Sequence, residues 1–220
     1  MIDQGLPERL IDRLQGPLPG PMIGSRFEPQ PRPWHHYDLP QSGCREAAVL
    51  LLLYWHQDCW RLPLTLRPAT LAAHAGQISL PGGAVEPGET TAEAAIREFH
   101  EELGADDASL QLLGRLSPLY VQASNFLVTP WVAATRQRPQ FTPNPLEVGE
   151  VLEVPLPHLL DPCNFGSHPR KHGDCDFNAP HFLFGTHQVW GATCMILGEF
   201  LTILEEISGC GLRITDWRTQ

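Results

Sequence analysis

The stretch "PGGAVEPGETTAEAAIREFHEELGA", Pro81 to Ala105, narrows what this chain can be more than any other. It reads as a glycine-rich turn running into one helix over residues 90–103. Gly104 follows as a natural C-terminal stop. A helix turns by about 100° per residue, so Glu98 and Glu102 lie about 40° apart and Glu101 about 60° to the other side. The three carboxylates share one face. Ala92, Ile96, Phe99 and Leu103 are spaced to form an apolar face that packs on a sheet. Arg97 stands four residues before Glu101 and four after Glu93, so both are expected ion-pair partners.

A solvated acidic face is the ordinary explanation for such a helix, and here it fits poorly. Like charges at this spacing repel, and the cluster sits toward the helix C-terminus, where the helix dipole disfavours anions. Divalent cations remove the conflict. Carboxylate oxygens suit Mg²⁺ or Mn²⁺ better than zinc.

The spacing Gly83-x5-Glu89-x7-Arg97-Glu98-Phe99-x-Glu101-Glu102-x-Gly104-Ala105 resembles the signature box of the Nudix hydrolases. Phe99 and Ala105 depart mildly, standing where a bulky aliphatic is usual. The resemblance implies an α/β/α sandwich around a mixed β-sheet. It also implies a reaction, attack of water on a phosphorus of a nucleoside diphosphate derivative. By position, Glu98 and Glu102 are the metal ligands it implies, with Glu101 next and the backbone carbonyl of Gly82 as an extra oxygen. Arg97 and Glu89 are implied as orienters of those carboxylates. The general base is left between Glu101 and Glu147, the latter in "PNPLEVGEVLEVPL".

The flanking sequence "LTLRPATLAAHAGQISLPGG" is similar to a second signature, that of the coenzyme A pyrophosphatase branch. Leu64, Thr65, Arg67, Gly76, Pro81, Gly82 and Gly83 fit it. Ala72 stands where the branch has its second arginine, and Pro63, Pro68 and Leu80 also depart. "REAAVLLLL", "VTPWVA" and "VWGATCMIL" extend the likeness across most of residues 45–205. It implies hydrolysis of coenzyme A or its derivatives to 3′,5′-ADP and 4′-phosphopantetheine, or the acyl form. Arg67, His74, Gly76, Gln77 and Gly83 are then the substrate-binding candidates. The alternatives are a Nudix enzyme for ADP-ribose or NADH, and a non-catalytic nucleotide-binding module.

The rest of the chain agrees with such an enzyme. Strands are expected at about 46–55, 60–66, 77–80, 109–119, 125–135, 150–154 and 181–189, and helices at 7–15, 156–160 and 191–206. This mixture is α/β or α+β. An N-terminal helix and proline-rich segment (1–41) is expected to pack on the main domain (42–210), followed by a tail (211–220). A net charge of −10, with Lys171 the only lysine, argues against binding a long nucleic acid and leaves a small nucleotide as the partner. The longest apolar run, Ala47 to Trp55, is too short to span a membrane. The first residues lack an export signal, and the six cysteines show no disulfide framework, which together suggest a cytoplasmic protein. A homodimer is compatible with all of this. "CNFGSHPRKHGDCDFNAPH" reads as a histidine-rich loop, zinc being the alternative, because no paired-ligand spacing is present.

Overall fold

The structure is a computed structural model, and it describes residues 2–21, 25–31, 43–69, 76–105 and 109–208. Its elements run α1 (Leu6–Leu14), β1 (Arg45–His56), β2 (Cys59–Leu66), β3 (Ile78–Ser79), β4 (Gly82–Ala84), α2 (Thr91–Leu103), β5 (Gln111–Arg115), β6 (Leu119–Val121), β7 (Phe126–Thr135), β8 (Glu150–Pro155), α3 (Leu156–Leu159), β9 (Phe165–His172), β10 (Cys175–Phe184), β11 (His187–Trp190) and α4 (Gly191–Ser208). His74 and Ala72 lie outside the described residues, as do the tail 211–220 and parts of the proline-rich segment.

β1 is the apolar run, and its period of two organises the layers. Ala48, Leu50 and Leu52 pack with Ala94, Ala95, Phe99 and Leu103 of α2. Leu51 and Leu53 join the opposite core with Leu10 and Leu14 of α1 and Phe200 and Leu201 of α4. A strand covered on both faces reads as an unbroken apolar stretch, as this one does. β7 runs parallel to β1 from Arg45↔Phe126 to Tyr54↔Thr135. β2, β4, β5, β6 and β8 pair antiparallel, completing a mixed eight-stranded sheet with β3 at the edge of β2. The α/β/α sandwich is therefore as expected.

β4 is antiparallel to the first half of β1, and β2 to its end. The partners of β1 change halfway along, so the sheet opens there.

Three expectations need correction. The single strand at 109–119 is two, β5 and β6. Its register slips between Leu112 and Gly114, and the chain breaks at Ser117-Pro118, where proline has no N–H for the ladder. The buried carboxylate of Glu199 accepts the Ser117 N–H and hydroxyl instead, at 3.1 and 2.6 Å. The strand at 181–189 is the end of β10 plus β11. The histidine-rich loop is the β9–β10 hairpin of a second, three-stranded sheet. There Phe177 and Ala179 are buried while Asp176 and Asn178 are exposed, a half-buried strand's alternation. Within the hairpin, His168 Nδ1 lies 3.0 Å from His181 Nδ1, and Arg170 Nε donates to His168 Nε2 at 2.8 Å. Phe27, from the proline-rich segment, packs on this sheet against Phe165 and Phe182 at 5.2 and 5.8 Å between ring centroids.

Candidate active site

α2 begins with a capping box. Thr90 Oγ1 accepts from the Glu93 N–H at 3.3 Å, and Glu93 Oε2 accepts from the Thr90 N–H at 2.8 Å. Glu93 is thus committed to the helix start and does not pair with Arg97. The helix ends at Gly104, which takes a left-handed conformation with φ of 59°. The buried face is Ala94, Ala95, Phe99, Glu102 and Leu103, whereas Ala92 and Ile96 lie half-exposed on its flank. The whole helix is rotated from the expected orientation, and the rotation carries Glu102 inward.

Arg97 organises the carboxylates around it. Its guanidinium donates twice to Glu89, at 2.8 and 3.0 Å, once to Glu98 Oε1 at 2.9 Å, once to Glu101 Oε2 at 3.0 Å and once to the Ala84 carbonyl at 3.0 Å. A planar fork with five N–H groups makes this possible, and a lysine cannot reproduce it. The same guanidinium, helped by the Glu86 N–H, holds the Glu89 carboxyl below the usual carboxylate range.

Glu102 is in the opposite state. Only 5% of it is exposed, and its Oε2 has no hydrogen-bond partner. Burial pushes its carboxyl up to about 8, and the nearby charges of Glu98 and Glu147 push the same way. The charge of Arg67 and the Gly82 N–H offset part of this. Glu98 is also raised, first by burial and then by Glu101 and Glu147, with Arg97 opposing. Glu98, Glu102 and Glu147 therefore share one electrostatic neighbourhood. Glu101 stands further out, with 54% of its side chain exposed and its oxygen on Arg97.

The glycine-rich turn expected before α2 is instead strand β4, and its two glycines are required by close approach. A Cβ on Gly82 would overlap the Ala48 carbonyl and Val49 in β1, and one on Gly83 would overlap the carboxylate of Glu98. Arg67, just past β2, bonds through its backbone to Gln77 and Gly76 at 3.0 and 3.2 Å. Its Nε is buried and has no hydrogen-bond partner. Gly76 is exposed in a turn with φ of 69°.

Glu147 is brought in by the loop before β8. Thr142 N donates to the Leu103 carbonyl at 2.8 Å and Asn144 N to the Glu102 carbonyl at 2.9 Å. These two N–H groups satisfy carbonyls that the last turn of α2 leaves without intrahelical partners. Gly149 N donates to the Leu66 carbonyl at 2.8 Å, so the loop is tied to β2 as well. Sequence reasoning singled out Glu147 but missed Asn144 and Thr142. The "NP" at 144–145 was the available signal of a turn.

Among the described residues, no three His, Cys, Asp or Glu side chains converge closely enough to hold an ion as they stand. Glu98 and Glu101 are each turned onto Arg97. The chemistry of the donors still fits a hard divalent cation. Glu102 keeps one buried oxygen without a hydrogen-bond partner, with the charge of Glu98 nearby.

The fold is an α/β/α sandwich that gathers the glutamates of one helix around Arg97. The NUDIX domain model matches residues 46–168, and the chain belongs to the Nudix hydrolases as a pyrophosphohydrolase. Enzymes of this family use divalent metals and act on small nucleotide substrates. The Nudix hydrolase NudL of Photorhabdus laumondii is 35% identical over 164 residues, 70% of this chain and 82% of that protein. The mitochondrial coenzyme A diphosphatase NUDT8 of Homo sapiens is 36% identical over 162 residues, 72% of this chain and 69% of that protein. A crystal structure of a Nudix hydrolase from M. smegmatis, RenU, matches with a TM-score of 0.43 at 25% identity, over 52% of this chain and 72% of that one. No helix among the described residues is long and apolar enough to cross a membrane.

Proposed function

We propose that this protein is a divalent-metal-dependent diphosphatase of coenzyme A or its derivatives, releasing 3′,5′-ADP and 4′-phosphopantetheine or its acyl form. The observation that carries the substrate is the 36% identity, across 72% of the chain, to a protein named a coenzyme A diphosphatase. The flanking signature around Arg67 and Gly76 supports it.

The metal reading rests on Glu102. Burying a carboxyl with an unbonded oxygen costs stability unless a cation completes it. Glu98 and Glu102 would hold Mg²⁺ or Mn²⁺, with Glu101 and the Gly82 carbonyl as further oxygens. Bound there, the cation would neutralise the diphosphate and acidify a water. Arg97 and Glu89 act as positioning residues, fixing where the Glu98 and Glu101 carboxylates stand. Arg67, with an unbonded buried nitrogen and a charge that acts on Glu102, supplies positive charge to the diphosphate. His74, Gly76, Gln77 and Gly83 form the remaining substrate contacts of this reading.

Glu147 is the better general base of the two candidates, because Arg97 already engages Glu101. It takes a proton from the attacking water. The water oxygen bonds to phosphorus as the anhydride P–O bond breaks, and the electron pair leaves with the departing phosphate. The cysteines among the described residues are free, which suits a reducing compartment. Ala72, in place of the branch's second arginine, favours the reading in which ADP-ribose or NADH is preferred. A substrate panel decides between the two. The protein with Mg²⁺ or Mn²⁺ should cleave coenzyme A or an acyl derivative best. Efficiency toward ADP-ribose or NADH that is higher by about tenfold, which is about 1.4 kcal/mol of transition-state binding, would overturn this substrate.

A further inference from the structure

Asn144 occupies an unusual junction. Its backbone N–H reaches back to the Glu102 carbonyl at 2.9 Å, and its own carbonyl accepts from the N–H groups of Glu147 and Val148 at 3.0 and 2.8 Å. Its side chain is used at both ends. Oδ1 accepts from the Leu146 N–H at 3.1 Å, and Nδ2 donates to Glu147 Oε1 at 3.3 Å. The two partners also fix the orientation of the amide, since a backbone N–H needs the oxygen and a carboxylate needs the nitrogen. The turn built on Oδ1 throws Leu146 outward, 77% exposed, and leaves Glu147 partly buried. One oxygen of Glu147 is thereby occupied by the amide.

We propose that Asn144 is a positioning residue that aims the Glu147 carboxylate at the attacking water and ties it to the turn of α2 that carries Glu102. This rests on the reading of Glu147 as the general base. With the amide on Oε1, rotation of the carboxylate is restrained and Oε2 is the oxygen that takes the proton. The bond from the Asn144 N–H to the Glu102 carbonyl keeps that oxygen in register with the metal-side carboxylates. Proton transfer depends steeply on such geometry.

Asn144→Asp separates the two jobs of the side chain. It keeps an oxygen for the Leu146 N–H and so keeps the turn, but it loses the donor to Glu147. Asn144→Ala loses both, so Asn144→Asp is the deciding variant. Turnover of coenzyme A at saturating Mg²⁺ would be measured for the wild type, Asn144→Asp, Glu147→Gln and the double variant, with thermal unfolding in parallel. Asn144→Asp should lower kcat by about tenfold or more while KM moves by less than about threefold, a loss confined to the chemical step. In the Glu147→Gln background the same change should cost less than about twofold, because a residue acting through Glu147 has nothing left to position. An Asn144→Asp protein as fast as the wild type, beside a slow Glu147→Gln, would overturn this inference alone. So would an equal loss in both backgrounds, which would mean that the new charge acts elsewhere. A Glu147→Gln protein as fast as the wild type would sink the base assignment and this inference with it.

Discussion

Glu102→Gln should stabilise the metal-free protein at high pH while destroying its activity. The folded-state carboxyl titrates at about 8, against 4.5 for the unmodified side chain. Below pH 4.5 the group is protonated in both states and costs nothing. Between 4.5 and about 8 the unfolded chain releases a proton that the folded chain keeps, so stability falls as pH rises through this window. Above 8 the full penalty of a buried, ionised carboxylate remains. At about 1.4 kcal/mol per pKa unit, that penalty is at most about 5 kcal/mol. Glutamine removes it but still buries an amide without a full set of partners, at about 1–3 kcal/mol. The net gain at pH 9 is then about 2–4 kcal/mol, which for a chain of this size is about 4–16 °C in Tm. Near pH 5 the gain should vanish or reverse. Urea unfolding of both proteins in EDTA at pH 5, 7 and 9 measures this directly. Equal stability at every pH, or a gain largest at pH 5, would refute the burial of an ionisable Glu102. Adding Mn²⁺ should reverse the order, stabilising the wild type more than the variant.

Two further outcomes follow from the same geometry. Gly83→Ala places a Cβ on the Glu98 carboxylate, and a displacement of about 1 Å at a reacting centre can cost about 10²-fold, so kcat/KM should fall by that order with the far-ultraviolet circular dichroism unchanged. In the Cys/His hairpin His168 is engaged by both His181 and Arg170, so elemental analysis of protein purified without added metal should show no stoichiometric zinc. One equivalent of zinc, lost on Cys175→Ser, would contradict that.

The sequence was most legible where chemistry and local periodicity coincide. The 3.6-residue repeat places Glu98 and Glu102 together, whereas the glycines before α2 read as a turn, and their close approach to Ala48, Val49 and Glu98 depends on the pairing of β4 with β1. The unbroken apolar run from Ala47 to Trp55 marks β1 as a strand covered on both faces, its short length arguing against a helix. The capping box at Thr90 and Glu93 was also readable, but an ion-pair spacing to Arg97 competed with it, and the backbone N–H groups at the helix start won. The turned-in face of α2 was misplaced because Ala94 and Ala95 are small, and tertiary packing against Ala48 and Leu50 of β1, not side-chain size, decides what is buried. Glu101 shares the helical face of Glu98, yet it is half in solvent. A 60° offset is enough at the rim of an opening. The hairpin at 165–184 was hidden because its alternation is weak, with β9 exposed over its last four residues and β10 buried continuously from Ala179 to Phe182. Asn144 and Glu199 act through partners 42 and 82 residues away, Glu102 and Ser117, and no local pattern reports a contact of that range.

The proposed chemistry depends on Glu98 and Glu102 seating a divalent cation. Titration of metal-free protein with Mn²⁺, following the free ion by electron paramagnetic resonance, tests it without reference to any substrate. The wild type should show saturable binding. Glu98→Gln and Glu102→Gln should each weaken that binding by about tenfold or more, the loss of one charged ligand being worth roughly 1.5–3 kcal/mol. Mn²⁺ binding that is equal in the wild type and both variants would place the cation elsewhere and contradict the account.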